Sequence, residues 1–167
     1  CANSVEAVSS YNTPIIADSI MRGGLELEKR DAESRLQSAL GSGTLDNTTF
    51  TITNSNSHEV KVNGIFYQPG EVCATLVAKE GKAALAPTTL PYGEYTLTEV
   101  SAGDGYNLSD GNSRPFSITA DGQIVRFSDS VEGTHEPAFK NFVKRGDLNF
   151  IKVREVNNER LVGVPFR

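Results

Sequence analysis

Short runs in which apolar and polar residues alternate, each ended by Gly, Pro, Asn or Asp, are the feature of this sequence that most constrains its fold. In residues 49–53 (TFTIT), Phe50 and Ile52 would share one face of a strand, because successive strand side chains point to opposite faces. Asn63-Gly64, between two short apolar runs, is a strong hairpin signal. With fifteen glycines and seven prolines in 167 residues, the sequence predicts an all-β protein with the alternation of an antiparallel meander.

Two further segments are predicted from their turn residues. Residues 116–118 are expected to form a strand, Asp121-Gly122 a turn, and residues 124–127 the pairing partner of that strand. Residues 31–47 are rich in Ser, Gly and Asp and are expected to form a surface connection that contains a helical turn or two.

The composition excludes several classes of function. A net charge of −5, with acidic and basic residues interspersed and no basic stripe, predicts no nucleic-acid partner. No apolar run is long enough to span a bilayer, so no membrane insertion is expected in this fragment. Cys1 and Cys73 have neither metal-ligand spacing nor a disulfide framework, and Cys73 is interpreted as a buried strand residue. Neither a metal nor a cofactor is predicted.

Three polar residues interrupt the apolar faces of the predicted strands. Lys29 follows Leu25 and Leu27 at a two-residue spacing, Glu99 ends the apolar face of YTLTE, and Asn141 lies on the apolar face of FKNFV. Taken singly, each has a simpler interpretation: a lysine can extend past a sheet edge, an acid can end a strand in solvent, and an amide can cap a turn. Together they place one lysine, one acid and one amide on the apolar faces of three separate strands.

These three residue types are what a spontaneous lysine–asparagine isopeptide bond requires. Burial favours the neutral amine of Lys29, which is the nucleophile, and the carboxamide of Asn141 is the electrophile. A buried carboxyl group at Glu99 is expected to stay protonated, to donate a hydrogen bond to the amide oxygen, and to move protons as ammonia leaves. Such a reaction needs no cofactor.

The sequence resembles a known family at three places. GLELEKRD (residues 24–31), PYGEYTLTE (residues 91–99) and FKN (residues 139–141) are similar to the CnaB-type (SpaA-like, prealbumin-like) isopeptide-forming domains of Gram-positive surface proteins and pilins. The resemblance covers residues 21–145 and implies an Ig-like antiparallel β-sandwich. It also implies that Lys29 is the cross-linking lysine of the first strand, Glu99 the catalytic acid and Asn141 the acceptor of the last strand.

An internal repeat suggests a tandem organisation. Residues 148–152 (LNFIK) repeat the phase of residues 25–29 (LELEK), and both runs follow an Arg-Gly pair. We therefore expect residues 1–20 to be the tail of a preceding module and a linker, and residues 146–167 to be the first strands of a following, truncated module. Lys152 is then the corresponding lysine of that module.

These observations predict a structural stalk or repeat module of an adhesin or pilin, located outside the cell and attached to the cell wall of a Gram-positive bacterium. Its expected partners are neighbouring modules of the same protein and a host or cell-surface ligand, and its chemistry is one intramolecular turnover rather than enzymatic action on a substrate. One alternative is a ligand-binding β-sandwich of an adhesin, with an exposed aromatic or polar groove and no covalent link. A hydrolase using Glu99 would need a second carboxylate in a comparable apolar row, which the sequence lacks.

Overall fold

The computed structural model describes residues 17–109, 112–130, 132 and 136–148 of the chain. These residues form ten strands, which in chain order are β1 Arg22–Asp31, β2 Thr49–Asn54, β3 Val60–Val62, β4 Ile65–Tyr67, β5 Val72–Val77, β6 Lys82–Pro91, β7 Gly93–Ser101, β8 Ser113–Ile118, β9 Gln123–Phe127 and β10 Phe139–Asn141. These described residues form no helix, and so none that could cross a membrane.

The first sheet is organised around β1. Strand β6 pairs with one edge of β1 in the antiparallel direction. Along the other edge, β9 pairs in parallel with residues 23–27, and β10 continues the pairing in parallel at residues 29–31. β1 is therefore the central strand of this sheet.

The second sheet contains β5, β2, β7 and β8 in that order, and all of its pairings are antiparallel. Strands β3 and β4 form a separate hairpin, whose turn residues Asn63 and Gly64 have φ angles of 49° and 84°. Positive φ at both central residues gives a two-residue turn the twist that suits a hairpin. The predicted hairpin is confirmed.

The core lies between the two sheets, and the predicted β-sandwich is confirmed. Its inward residues include Phe50 and Ile52, both at their predicted positions, and Cys73 is buried as expected. The largest fully buried apolar side chains of the cluster are Leu25, Leu27, Phe50, Ile52, Leu90, Tyr95, Leu97, Ile118, Phe127 and Phe139. The two parallel pairings of β1 are the exceptions to its antiparallel character.

The predicted helical turn in residues 31–47 is wrong, because these residues form turns and bends. The carboxylate of Asp31 accepts hydrogen bonds from the backbone N–H groups of Glu33 and Ser34. Arg35 then has a φ angle of 61°, a left-handed conformation that cannot continue a right-handed helix.

The predicted pairing of β9 with β8 is also wrong. After the turn at residues 121–122, β9 crosses to the other sheet and pairs in parallel with β1. The side-chain oxygen of Gln123 accepts hydrogen bonds from the backbone N–H groups of Thr119 and Ala120, at 2.7 and 3.2 Å, and so holds the crossing in place. A two-residue period identifies a strand, but it does not identify the partner of that strand.

The sequence pattern does not predict β6, because its ten residues include three alanines and two prolines, which are uncommon in strands. In the structure, β6 lies at the edge of the first sheet, at the end of the strand order β10-β1-β6, where proline is tolerated although it has no backbone N–H.

The register of the pairing between β1 and β6 shifts between Gly23 and Leu25. At Gly24, a Cβ atom would lie 2.1 Å from the carbonyl oxygen of Leu85, so glycine is needed for this approach.

The chain enters and leaves the first sheet at opposite ends. In the parallel pairing of β1 with β10, Lys29 lies opposite Phe139 and Asp31 lies opposite Asn141. The segment before β1 and the segment after β10 therefore extend in opposite directions. The modules predicted on either side fall largely in residues 1–16 and 149–167, which include Lys152 and lie outside the described residues.

Candidate cross-link site

The structure brings Lys29, Glu99 and Asn141 together in the interior of the sandwich. Lys29 and Asn141 come from the neighbouring strands β1 and β10, whereas Glu99 comes from β7 of the facing sheet. Their exposed fractions are 0%, 3% and 0% respectively. The two-residue phase that placed each of them on an apolar face is therefore reproduced in the fold.

The carboxyl group of Glu99 lies between the other two side chains. Its Oε2 atom is 3.4 Å from Nζ of Lys29, and its Oε1 atom accepts a hydrogen bond from Nδ2 of Asn141. Within the described part of the chain, neither Nζ of Lys29 nor Oε2 of Glu99 makes a hydrogen bond. Buried polar atoms without such bonds are costly, and conversion of the amine into an amide would reduce that cost.

Burial shifts both ionisable groups toward their neutral forms. Desolvation lowers the pKa of Lys29 to about 8, although the nearby Glu99 carboxylate acts in the opposite direction. Desolvation also raises the pKa of Glu99, against the opposing effects of Lys29 and of the hydrogen bond from Asn141. A neutral amine beside a protonated carboxyl group is the state in which lysine is a nucleophile and the acid can deliver a proton.

Aromatic rings form the apolar wall of this site. The ring of Phe139, two residues before Asn141, packs against Phe50 at 5.0 Å and against Phe127 at 5.6 Å between ring centroids. Phe50 is also the residue paired with Glu99 across β2 and β7. These rings limit the contact of the three polar groups with water, which strengthens the electrostatic interactions among them.

Two residues that sequence reasoning missed contact the site. The hydroxyl of Ser109 donates a hydrogen bond to Oδ1 of Asn141 at 3.1 Å. The predicted donor to this oxygen was Glu99, whose carboxyl group instead contacts the amide nitrogen. Ser109 lies in a glycine-rich loop without periodicity, so no sequence signal identifies it.

Arg114 is the second missed residue. Its guanidinium group lies 4.0 Å from the ring centroid of Phe139 and donates hydrogen bonds to the carbonyl oxygens of Pro137 and Ala138. Arg114 thus holds the segment that leads into β10. A signal for it does exist, because Arg114 lies in phase with Phe116 and Ile118 on β8.

Comparison with known proteins identifies the family. A family model described as SpaA, a prealbumin-like fold domain, matches residues 24–131. The chain belongs to the SpaA family. The predicted resemblance is thereby confirmed, and the match includes Lys29 and Glu99 but ends before Asn141. The comparison with curated protein sequences gave no match for this SpaA chain.

Solved structures similar to the SpaA chain include a pilus backbone protein and a major pilin subunit. The Bacillus anthracis TIE protein is 24% identical, with a TM-score of 0.49, over 74% of this chain and 17% of that one. The group B streptococcus pilus 2b backbone protein is 20% identical, with a TM-score of 0.48, over 81% of this chain and 46% of that one. BcpA, the major pilin subunit of Bacillus cereus, is 17% identical, with a TM-score of 0.45, over 74% of this chain and 31% of that one. The SpaA chain thus covers less than half the length of each.

A second buried polar cluster stabilises the end of the SpaA sandwich next to the site. The carboxylate of Asp31, 0% exposed, accepts a hydrogen bond from the hydroxyl of Tyr106 at 2.8 Å, and that hydroxyl accepts one from the backbone N–H of Leu40 at 2.9 Å. Burial alone would raise the pKa of Asp31, but its hydrogen bonds from Ser34, Tyr106 and Glu33 outweigh burial and lower it. Asp31 continues the phase of Lys29, which is the sequence signal for its burial.

The Tyr106→Phe variant is expected to lower the free energy of unfolding by about 1–3 kcal/mol, because it removes the buried donor to Oδ2 of Asp31 and the acceptor for the N–H of Leu40. Urea denaturation followed by circular dichroism measures this change. The matched control is Tyr92→Phe, since Tyr92 is 52% exposed and should tolerate the change. Equal stabilities of the two variants would contradict a structural role for the Tyr106 hydroxyl.

Proposed function

We propose that this SpaA domain is a structural module of a Gram-positive cell-surface protein, an adhesin or a pilin, that is stiffened by a spontaneous isopeptide bond. The bond joins Nζ of Lys29 to the side-chain carbon of Asn141, and Glu99 promotes its formation. The observation that carries this proposal is the buried contact of the Glu99 carboxyl group with both the amine and the carboxamide.

The two oxygens of Glu99 suit a proton shuttle. A proton passes from the ammonium of Lys29 to the carboxylate, and the neutral amine attacks Cγ of Asn141. The Nζ–Cγ bond forms while the Cγ–Nδ2 bond breaks. Glu99 supplies the proton that Nδ2 needs to leave as ammonia, and it takes one proton from Nζ, so that the carboxyl group is restored. Each oxygen already lies beside the nitrogen that it serves.

The fold supplies proximity and a dry environment rather than a cofactor. Adjacent strands hold the amine and the amide next to one another, which converts a slow bimolecular exchange into an intramolecular reaction. The product is part of the same chain, so the site reacts once and acts on no separate substrate. We therefore propose a structural role and not an enzymatic one.

The position of the bond suits a protein that carries tension. Force that enters at the start of β1 reaches Lys29, crosses the new amide to Asn141, and leaves after β10 in the direction in which it entered. The chain between these residues, including the whole second sheet, is then not loaded. Neighbouring modules of the same protein are the expected partners, and membership of the SpaA family supports a location on the cell wall of a Gram-positive bacterium.

The intact mass tests the proposal. The purified wild-type chain should weigh about 17 Da less than its sequence, because one ammonia is lost. Lys29→Met and Asn141→Ala should each have the full mass calculated for its own sequence. Lys82→Met is the control, since Lys82 is an exposed lysine of β6 and its removal should leave the 17 Da deficit intact. A folded wild-type chain with the full mass would overturn the proposal.

The alternative function, a ligand-binding β-sandwich, is favoured by one observation. A polar groove of about 420 Å³ contains the exposed side chain of Tyr92. Its lining also includes Asn56, His58, Glu94 and Thr119. Such a groove is what a ligand-binding module without a cross-link would present. A full wild-type mass would leave this function as the better explanation of the fold.

A further inference from the structure

We propose that Ser109 is a catalytic residue of this site, which donates a hydrogen bond to the oxyanion that forms on Asn141 when Lys29 attacks. This inference rests on the proposed isopeptide reaction. Its basis is the contact between Oγ of Ser109 and Oδ1 of Asn141 at 3.1 Å.

The two polar atoms of the Asn141 side chain have different partners. Nδ2 donates to Glu99, and Oδ1 accepts from Ser109. Attack at Cγ moves negative charge onto Oδ1, and a donor aimed at this atom stabilises the charge. Glu99 is occupied on the nitrogen side by the leaving group. Ser109 is therefore the side chain placed to stabilise the oxygen.

The loop that carries Ser109 is bound to the chain just beyond the acceptor. The backbone N–H of Asn107 donates to the carbonyl oxygen of Phe142 at 2.9 Å, and the N–H of Lys144 donates to that of Gly105 at 2.7 Å. These bonds hold the hydroxyl close to Asn141 before the reaction begins. A donor fixed in advance stabilises developing charge without a reorganisation cost.

The hydroxyl of Ser109 has one hydrogen and two acceptors within reach. The carbonyl oxygen of Lys140 lies at 3.4 Å, farther than Oδ1 of Asn141 at 3.1 Å. A hydroxyl can rotate toward the better acceptor, and the charge that develops on Oδ1 makes that atom the better acceptor during the reaction. Ser109 keeps its proton throughout. When the oxyanion collapses and ammonia leaves, the serine returns unchanged.

The experiment measures the rate of bond formation. Wild-type and variant chains are made by chemical synthesis and kept in denaturant, so that they have never folded and have not reacted. Each is then diluted into folding buffer, quenched in acid at intervals, and weighed to follow the loss of ammonia. Ser109→Ala should slow this loss by about tenfold to a hundredfold, which is less than the roughly hundredfold to thousandfold typical of a single oxyanion donor, because Ser109 is only half-buried. The pH at which the rate rises and falls should not move, because serine does not titrate in this range.

Two further variants separate the effect of the hydroxyl from the effect of side-chain shape. Ser109→Thr keeps a hydroxyl and should react at close to the wild-type rate. Ser109→Val has nearly the same shape as the threonine variant but no hydroxyl, and it should be as slow as Ser109→Ala. The control is Ser113→Ala, since the Ser113 hydroxyl contacts Thr98 and is exposed. Near-ultraviolet circular dichroism shows that each variant has folded.

The outcomes distinguish this inference from the proposed function. If the wild-type chain loses ammonia and both Ser109→Ala and Ser109→Val lose it equally fast, the role of Ser109 is overturned and the cross-link stands. The role of Ser109 is also overturned, and the cross-link stands, if Ser109→Thr and Ser109→Val lose ammonia at equal rates. If the folded wild-type chain never loses ammonia, the cross-link is overturned, and the role of Ser109 with it.

Discussion

Stretching the wild-type domain from its two ends is expected to give no unfolding step, whereas the Lys29→Met variant should release a contour length on the order of 400 Å. The difference arises because 112 residues (141 − 29) lie between the two linked positions, and an extended chain spans about 3.6 Å per residue. In the linked chain these residues are bypassed by a covalent bond. In the variant only hydrogen bonds hold β10 to β1, and they yield under load.

Single-molecule force spectroscopy measures this step when the domain is placed between marker domains of known length. The Lys82→Met variant keeps the cross-linking lysine and should stay inextensible like the wild-type chain. A wild-type chain that extends by the full length would contradict the proposal that the bond carries the applied force. This holds even if its mass indicated that ammonia had been lost, because the bond would then lie outside the path of the force.

Glu99→Gln is expected to abolish the bond and to leave a folded domain with the full calculated mass. Glutamine has nearly the same shape but cannot carry the proton that Nδ2 of Asn141 needs to leave. Glu99→Ala should likewise be folded and unlinked. Without the bond, the loop of about a hundred residues is no longer closed in the unfolded state, so the free energy of unfolding should fall by about 5 kcal/mol, by analogy with disulfide loops.

Intact mass and urea denaturation of the same samples measure these two effects. The matched control is Glu94→Gln, because Glu94 lies on the same strand as Glu99 but is exposed. It should form the bond and retain its stability. Formation of the bond by Glu99→Gln at the wild-type rate would show that the carboxyl group is not needed.

The three site residues could be predicted because a strand has a two-residue period. Lys29, Glu99 and Asn141 lie in phase with apolar neighbours, and that phase alone places each of them on an inward face. The same reasoning applied to Asp31 and Arg114 would have identified two more inward polar residues. Ser109 could not be found in this way, because a loop has no period.

Strand partners were harder to predict than strands. The turn at residues 121–122 favoured a hairpin between β8 and β9, but β9 pairs in parallel with β1 in the other sheet. Strand β6 was not predicted because its prolines and alanines are uncommon in strands. They are tolerated only because β6 lies at the edge of its sheet, which the sequence does not reveal. In both cases the deciding interaction joins residues that are distant in the chain, and no local pattern records it.

By itself, the sequence determined most of the strands but not β6, the buried face of those strands, and that a lysine, an acid and an amide share the interior, since period and polarity are local properties. Only the tertiary structure decided that β1 and β10 run in parallel, so that a bond between them lies in the path of an applied force. It also placed Glu99 on the amide nitrogen and Ser109 on the amide oxygen. These arrangements depend on how the two sheets and a distant loop pack together, which burial and shape set over the whole chain.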